Sequence, residues 1–333
     1  MQKQDIRKTA IQSWLENELK MSIDFFAPAS SDASFRRYFR VSCNSQTYIV
    51  MDAPPEKENI KAFIEVAGLF ASTGINIPKI YQINREQGFL LLEDFGNQCY
   101  LDLLNQENAN SLYEQALDSL FKLQSNIDCM NCKLPLYDFQ LLSKEIDIFS
   151  EWFLEKKLNI KANFGQQKTL EKTKHLLVKS ALEQSKTCVH RDYHSRNLMV
   201  TSTNNPGIID FQDAVVGPVT YDLASLLKDC YIEWPEQMID QWLNKYFLHL
   251  KDAGHINCNY DTFNYWFDLM GIQRHLKAIG IFARLHLRDN KSDYLHDIPR
   301  TINYIINTSA KYPELNAFNI FLQNTVMPAW QLK

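Results

Sequence analysis

Residues 189–200 read VHRDYHSRNLMV, and residues 208–213, beyond a polar turn at 202–206, read IIDFQD. Apolar residues of β type flank both stretches. Asp192, Asn197 and Asp210 stand at offsets that a loop followed by a tight hairpin would bring into one site. Moving a γ-phosphoryl group to a hydroxyl requires a carboxylate near that hydroxyl and oxygen ligands for Mg²⁺. Asp192 can be the first, and Asn197 with Asp210 the second. Any one of these residues alone would be an ordinary surface or core residue; three specified types at fixed offsets are not. His190 taken singly fits a bracing role in the loop better than acid–base chemistry.

Working outward, residues 5–20 have helical spacing, with Ile11, Trp14, Leu15 and Leu19 on one face. Stretches 35–41 and 46–52 are rich in aromatic and β-branched residues around a turn at 42–45, which predicts a hairpin ended by Pro54 and Pro55. Helical spacing returns over 58–72 and stops at Gly74. Two more strands are expected at 79–84 and 89–93, with a break at 94–96. Beyond it most segments are helical, with strand-like exceptions at 198–201 and 207–210. The expected architecture is α+β and two-lobed. Residues 1–95 would form an N-terminal nucleotide lobe with an antiparallel sheet and one main helix. Residues 96–333 would form a larger, mostly helical lobe for catalysis and substrate binding, with a ligand cleft between the two.

Composition narrows the function classes. The 333 residues are 45% hydrophobic and 22% charged, as in a soluble globular protein large enough for two lobes. A net charge of −4 argues against a general nucleic-acid binder. No window approaches the roughly 20 continuous apolar residues of a membrane span, and residues 1–20 do not resemble a signal peptide. Seven scattered cysteines suit reduced thiols in a cytoplasm. Cys129 and Cys132 make one C-x-x-C pair, and without a second pair they read as a plain loop.

The H-R-D-x-x-x-x-N spacing followed by a D-F-x element is the kinase pattern, with Gln212 in place of the glycine. Together with YDLASLL at 221–227, these stretches resemble the aminoglycoside phosphotransferase and choline kinase superfamily. The resemblance implies a protein-kinase-like fold, with Asp192 as catalytic base, Asn197 and Asp210 on Mg²⁺, and Asp222 supporting the catalytic loop from the start of a helix. A narrower resemblance rests on SSDASFRRYFRV at 30–41, MDAPPEKE at 51–58, LLLEDFG at 90–96, FQDAVVGPVTYDLASLLKDCY at 211–231 and QRHLKAIGIFARLHLRD at 273–289. These blocks look like the bacterial amino-sugar anomeric kinases of cell-wall recycling. That family phosphorylates the C1 hydroxyl of N-acetylmuramate or N-acetylglucosamine with ATP, and a nucleotidyltransferase consumes the product. A cytoplasmic monomer acting on a small amino sugar is the expectation.

On a helix at 100° per residue, Arg274, Lys277, Arg284 and Arg288 fall within about 80° of one another. Such a cationic stripe suits an anionic acceptor, although a solvated helix face would look the same. The nucleotide side departs from the kinase pattern. Met51 or Asp52 stands where a strand lysine is expected, and Arg36, Arg37 and Lys57 are the cations nearby, with Glu58 and Glu65 as partners. The phosphate loop SSDASF at 30–35 has no glycine, so small hydroxyls and amides would have to meet the phosphates. Ser31, Ser34, Arg36, Glu93 and Phe95 are the nucleotide-binding candidates. Two other readings stay open: another alcohol acceptor of aminoglycoside, choline or homoserine type, and a non-catalytic pseudokinase.

Overall fold

The structure is a computed structural model that describes residues 5–30 and 35–332. Its chain divides into two units, Met1–Gln98 with Met199–Asp213, and Cys99–Leu198 with Ala214–Lys333.

In the first unit, α1 (Ile6–Ser13) starts at Asp5, whose carboxylate accepts from the Lys8 amide at 3.1 Å and satisfies one of the orphan donors of the first turn. The helix widens into a π turn at Trp14–Glu18. Five antiparallel strands follow: β1 (Phe25–Ser30), β2 (Arg37–Cys43), β3 (Gln46–Asp52), β4 (Ile80–Asn84) and β5 (Phe89–Glu93), in the order β1-β2-β3-β5-β4. Period-two alternation puts Phe39 and Val41 of β2 with Val50, Phe89 and Leu91 on one face, where Ile11, Trp14 and Leu15 cover them. Asn44 and Ser45 both have positive φ (52° and 63°), the geometry that joins two twisted strands with a two-residue loop. The strand β1 was not expected from the sequence, because Pro28 interrupts FFAPAS; at the sheet edge its missing amide hydrogen costs no ladder bond.

Helix α2 (Ile60–Ala71) turns Phe63 and Phe70 onto Phe211, with centroids 4.8 and 5.6 Å apart. Residues 199–213 thus belong with this unit. The Ile208 amide donates to the Asn76 carbonyl at 2.7 Å, and the Val200 amide to the Gln98 carbonyl at 2.9 Å. At Gly207 any Cβ would lie 2.5 Å from the Phe95 ring, so only glycine lets that strand approach.

The second unit contains α3 (Tyr100–Leu103), α4 (Ala109–Asn126), α5 (Phe139–Ile148), α6 (Phe164–Glu183), α7 (Tyr221–Leu227), α8 (Glu236–Asp252), α9 (Tyr260–Asp289) and α10 (Ile298–Ser309). Strand Lys186–Val189 pairs antiparallel with Val215–Pro218. Both strands are short, and neither was expected from the sequence. Helix α9, 30 residues long, is buried through most of its middle, so its polar residues need internal partners. Asp268 takes Lys228 Nζ at 2.5 Å and the Tyr312 hydroxyl at 2.7 Å, and His275 Nε2 lies 2.8 Å from the Lys228 carbonyl oxygen. At Gly280 a Cβ would lie 2.6 Å from the Ile148 carbonyl, so α9 sits directly on the end of α5. No helix among the described residues is long and apolar enough to cross a membrane.

Candidate active site

The loop after Lys186–Val189 is held by carboxylates rather than by side-chain packing alone. Asp222, on the first turn of α7 and fully buried, accepts the His190 amide at 2.6 Å and the Arg191 amide at 3.0 Å. These bonds hold the chain as it leaves the strand. The Arg191 backbone takes φ +79°, a left-handed conformation costing roughly 1–2 kcal/mol in a residue with a Cβ. Its guanidinium offsets that cost through a buried ion pair with Glu145. Further along, His190 Nδ1 accepts the Asp192 amide at 3.3 Å, and Asn197 Nδ2 donates to the Asp192 carbonyl at 2.9 Å. Asp229 accepts both the amide and the hydroxyl of Ser195, at 2.9 and 2.6 Å. Asp192 and Asn197 are therefore fixed by the backbone, with their side chains half-buried.

Asp192 opens onto a cavity of about 110 Å³ within the second unit, lined also by His194, Ser225, Asp229, Tyr231, Arg274 and Lys277. Burial pushes the Asp192 carboxyl up, but Lys277, His194, Arg274 and Arg191 outweigh it and hold the group at about 2. Asp192 is thus ionised across the physiological range. Lys277 is tied back: its Nζ lies 3.1 Å from Glu145 Oε1 and 3.1 Å from the Tyr221 hydroxyl. Glu145, itself buried, also accepts Gln273 Nε2 at 3.2 Å and the Tyr137 hydroxyl. Burial raises the Glu145 carboxyl, while Lys277 and Arg191 lower it further, for a net downward shift. The cationic stripe expected on α9 divides in the structure. Arg274 and Lys277 are buried at the cavity, Arg284 is half-buried, and Arg288 is exposed and paired with Asp289 at 2.8 Å.

The first unit carries the remaining candidates. Asp210 has φ +63°, which a short polar side chain tolerates, and its Oδ1 accepts Gln212 Nε2 at 2.8 Å. Arg36 lies 3.7 Å from Glu58 and 3.9 Å from Asp213. Burial lowers its pKa, but Tyr38, Glu58, Asp210 and Asp213 together raise it. The other cations considered for that position are engaged elsewhere. Arg37 is bound to buried Asp52 at 2.6 Å, and Lys57 sits over the Phe35 ring at 4.4 Å. Glu93 Oε2 accepts the Lys79 amide at 3.2 Å, and the Phe95 ring packs on Gly207. Ser31 and Ser34 lie outside the described residues.

The sequence profile of the phosphotransferase enzyme family matches residues 26–255. The chain belongs to that family. It is 42% identical over 326 residues, 95% of each chain, to a protein of Pseudomonas putida named N-acetylmuramate/N-acetylglucosamine kinase. A protein of the same name from Pseudomonas aeruginosa is 47% identical over 289 residues, 86% of this chain and 85% of that one. Among solved structures, a choline kinase from Streptococcus pneumoniae superposes with a TM-score of 0.65 at 13% identity, over 92% of this chain and 99% of that one. An ADP-bound aminoglycoside phosphotransferase gives 0.59 at 15%, over 90% and 97%. These two likenesses show the protein-kinase-like fold.

For a phosphotransferase, the residues that sequence reasoning missed are Glu145, Tyr137 and Gln273 behind the loop, with Ser225 and His194 at the cavity. Glu145 had a signal. Leu142, Glu145, Ile146 and Phe149 recur at i, i+3, i+4 and i+7, so a carboxylate stands in the apolar register of α5. An ionisable group at a core position needs a buried counterion, which here is Arg191 with Lys277. Cys129 and Cys132 are free thiols in a turn closed by Asp128.

Proposed function

We propose that this phosphotransferase uses ATP to phosphorylate the anomeric hydroxyl of N-acetylmuramate and N-acetylglucosamine. The observation that carries this reading is the buried Arg274 guanidinium, which lines the Asp192 cavity with no ion pair among the described residues. A polycationic aminoglycoside would meet the Arg274 guanidinium there, whereas the carboxylate of N-acetylmuramate is drawn to it. The names of the relatives from Pseudomonas support the same acceptor. In this reading Asp192 accepts a hydrogen bond from the anomeric hydroxyl and orients it. Held at about 2, its carboxylate is a weak base, so proton transfer comes late, as suits a loose phosphoryl transition state. Arg36 offsets phosphate charge, with Glu93 and Phe95 on the nucleotide side. His190 and Asp222 keep the loop in place. Of the stripe on α9, Arg274 and Lys277 face the acceptor.

Asn197 and Asp210 have the hard oxygen donors that Mg²⁺ takes. Asn197 would ligate through its amide oxygen, its Nδ2 donating to the Asp192 carbonyl, and the Asp210 carboxylate is oriented by Gln212. When bound, the ion would neutralise charge on the transferred phosphates. The reading makes the chain a cytoplasmic monomer whose sugar 1-phosphate passes to a nucleotidyltransferase.

The test is incubation with ATP, Mg²⁺ and each sugar, followed by ³¹P NMR. An α-1-phosphate is expected from both amino sugars and no product from kanamycin. Asp192→Asn should lower turnover by ~10²–10⁴-fold with the fold retained by circular dichroism. Product from kanamycin alone, or near-normal turnover in Asp192→Asn, would refute the assignment.

A further inference from the structure

Arg274 is 8% exposed and has no ion pair with any carboxylate among the described residues. Buried arginines almost always have one. Its surroundings are the Tyr221 ring, 5.1 Å from the guanidinium carbon, and the Tyr221 hydroxyl, while Asp192 and Cys230 act on it only through longer-range electrostatics. Its Nε is buried and has no acceptor among the described residues. Lys277, one turn further along α9, is the opposite case, since Glu145 and Tyr221 already occupy it. Both residues line the Asp192 cavity, so of the two cations there only Arg274 lacks a counterion. Two more polar atoms at this cavity, His194 Nδ1 and Ser225 Oγ, are buried without partners. Beside the Asp192 and Asp229 carboxylates, a buried guanidinium with no direct ion pair and two unpartnered neutral groups suit a polar ligand carrying one negative charge.

We propose that Arg274 is the specificity-determining residue of the acceptor site, reading the lactyl carboxylate of N-acetylmuramate and setting the preference for it over N-acetylglucosamine. The inference rests on the acceptor class proposed above. A guanidinium binds a carboxylate through two parallel N–H donors, and N-acetylglucosamine has no carboxylate to accept them. The same guanidinium could instead meet the phosphoryl group in transfer, and that alternative predicts a different result. A contact to phosphoryl serves both sugars equally.

The experiment compares kcat/KM for N-acetylmuramate, its carboxyl methyl ester and N-acetylglucosamine in the wild type, Arg274→Met and Arg274→Lys. The wild type should prefer the acid to the ester. In Arg274→Met the ratio of N-acetylmuramate to N-acetylglucosamine should fall on the order of 10²-fold, the usual effect of truncating one partner of a buried charge pair. The lysine variant should recover part of the ratio. Equal losses for both sugars would assign Arg274 to the phosphoryl group or to the loop and overturn the proposal. A wild type indifferent to esterification would overturn it without any variant. A wild type that phosphorylates neither sugar would instead overturn the acceptor class itself.

Discussion

Replacing Glu145 tests whether the loop is braced from behind. The Glu145 side chain is 4% exposed, and its two cations, Lys277 and Arg191, are 11% and 17% exposed. Removing one partner of such a pair leaves charge stranded, at a cost of about 3–5 kcal/mol. Glu145→Gln keeps an oxygen but places an NH₂ group among the donors of Arg191, Lys277, Tyr137 and Gln273. Its cost should therefore fall in the same range. Lys277→Met in that background removes one surplus cation, and the double variant should recover at least about 1 kcal/mol relative to additivity. Urea unfolding followed by tryptophan fluorescence is the assay, because every tryptophan except Trp14 belongs to the second unit. A loss below about 1 kcal/mol in Glu145→Gln, or a strictly additive cycle, would refute the bracing argument.

Two further changes probe the scaffold. Burial pushes the Asp222 carboxyl up to about 7 against the pull of the His190 and Arg191 amides. A raised folded-state pKa adds stability that is complete below the unfolded carboxyl range and lost as pH rises to about 7. The stability of wild type minus Asp222→Asn should thus decline by about 1.4 kcal/mol per pH unit across that window. Urea melts of both proteins between pH 5 and 7 check it, and parallel pH profiles would count against it. Gly280→Ala forces a Cβ to within 2.6 Å of the Ile148 carbonyl, so α9 must move off α5. The expected cost is about 1–3 kcal/mol, read as a lower melting temperature at about 2–4 °C per kcal/mol.

The motif around Asp192 was legible because its residue types and offsets are chemical, and they survive any change in the surrounding fold. The strands at 46–52 and 89–93 were legible because β-branched and apolar residues mark a sheet centre. What escaped has physical causes. Pro28 masks an edge strand, and KTCV and VVGP are too short to display a period of two. The stripe on α9 was visible, but angular position on a helix does not reveal burial. The sequence could not separate Arg274, buried without an ion pair, from Arg288, which lies in solvent beside Asp289. Likewise, the choice among Arg36, Arg37 and Lys57 depends on cross-strand register. Arg37 pairs with Asp52 directly across β2 and β3, a contact no local pattern encodes.

Phe211 completes the face formed by Phe63 and Phe70, yet it is synthesised more than a hundred residues after the strands it serves. At about 5–20 residues per second, the ribosome takes on the order of ten seconds to supply it. During that interval the first unit lacks Gly207 opposite Phe95 and Phe211 over α2. A fragment ending at Gln98 would remain in that condition indefinitely, with apolar rings exposed to solvent. Completion of the first unit thus waits on residues 199–213, and a circular permutant that joins them directly to it should shorten that wait.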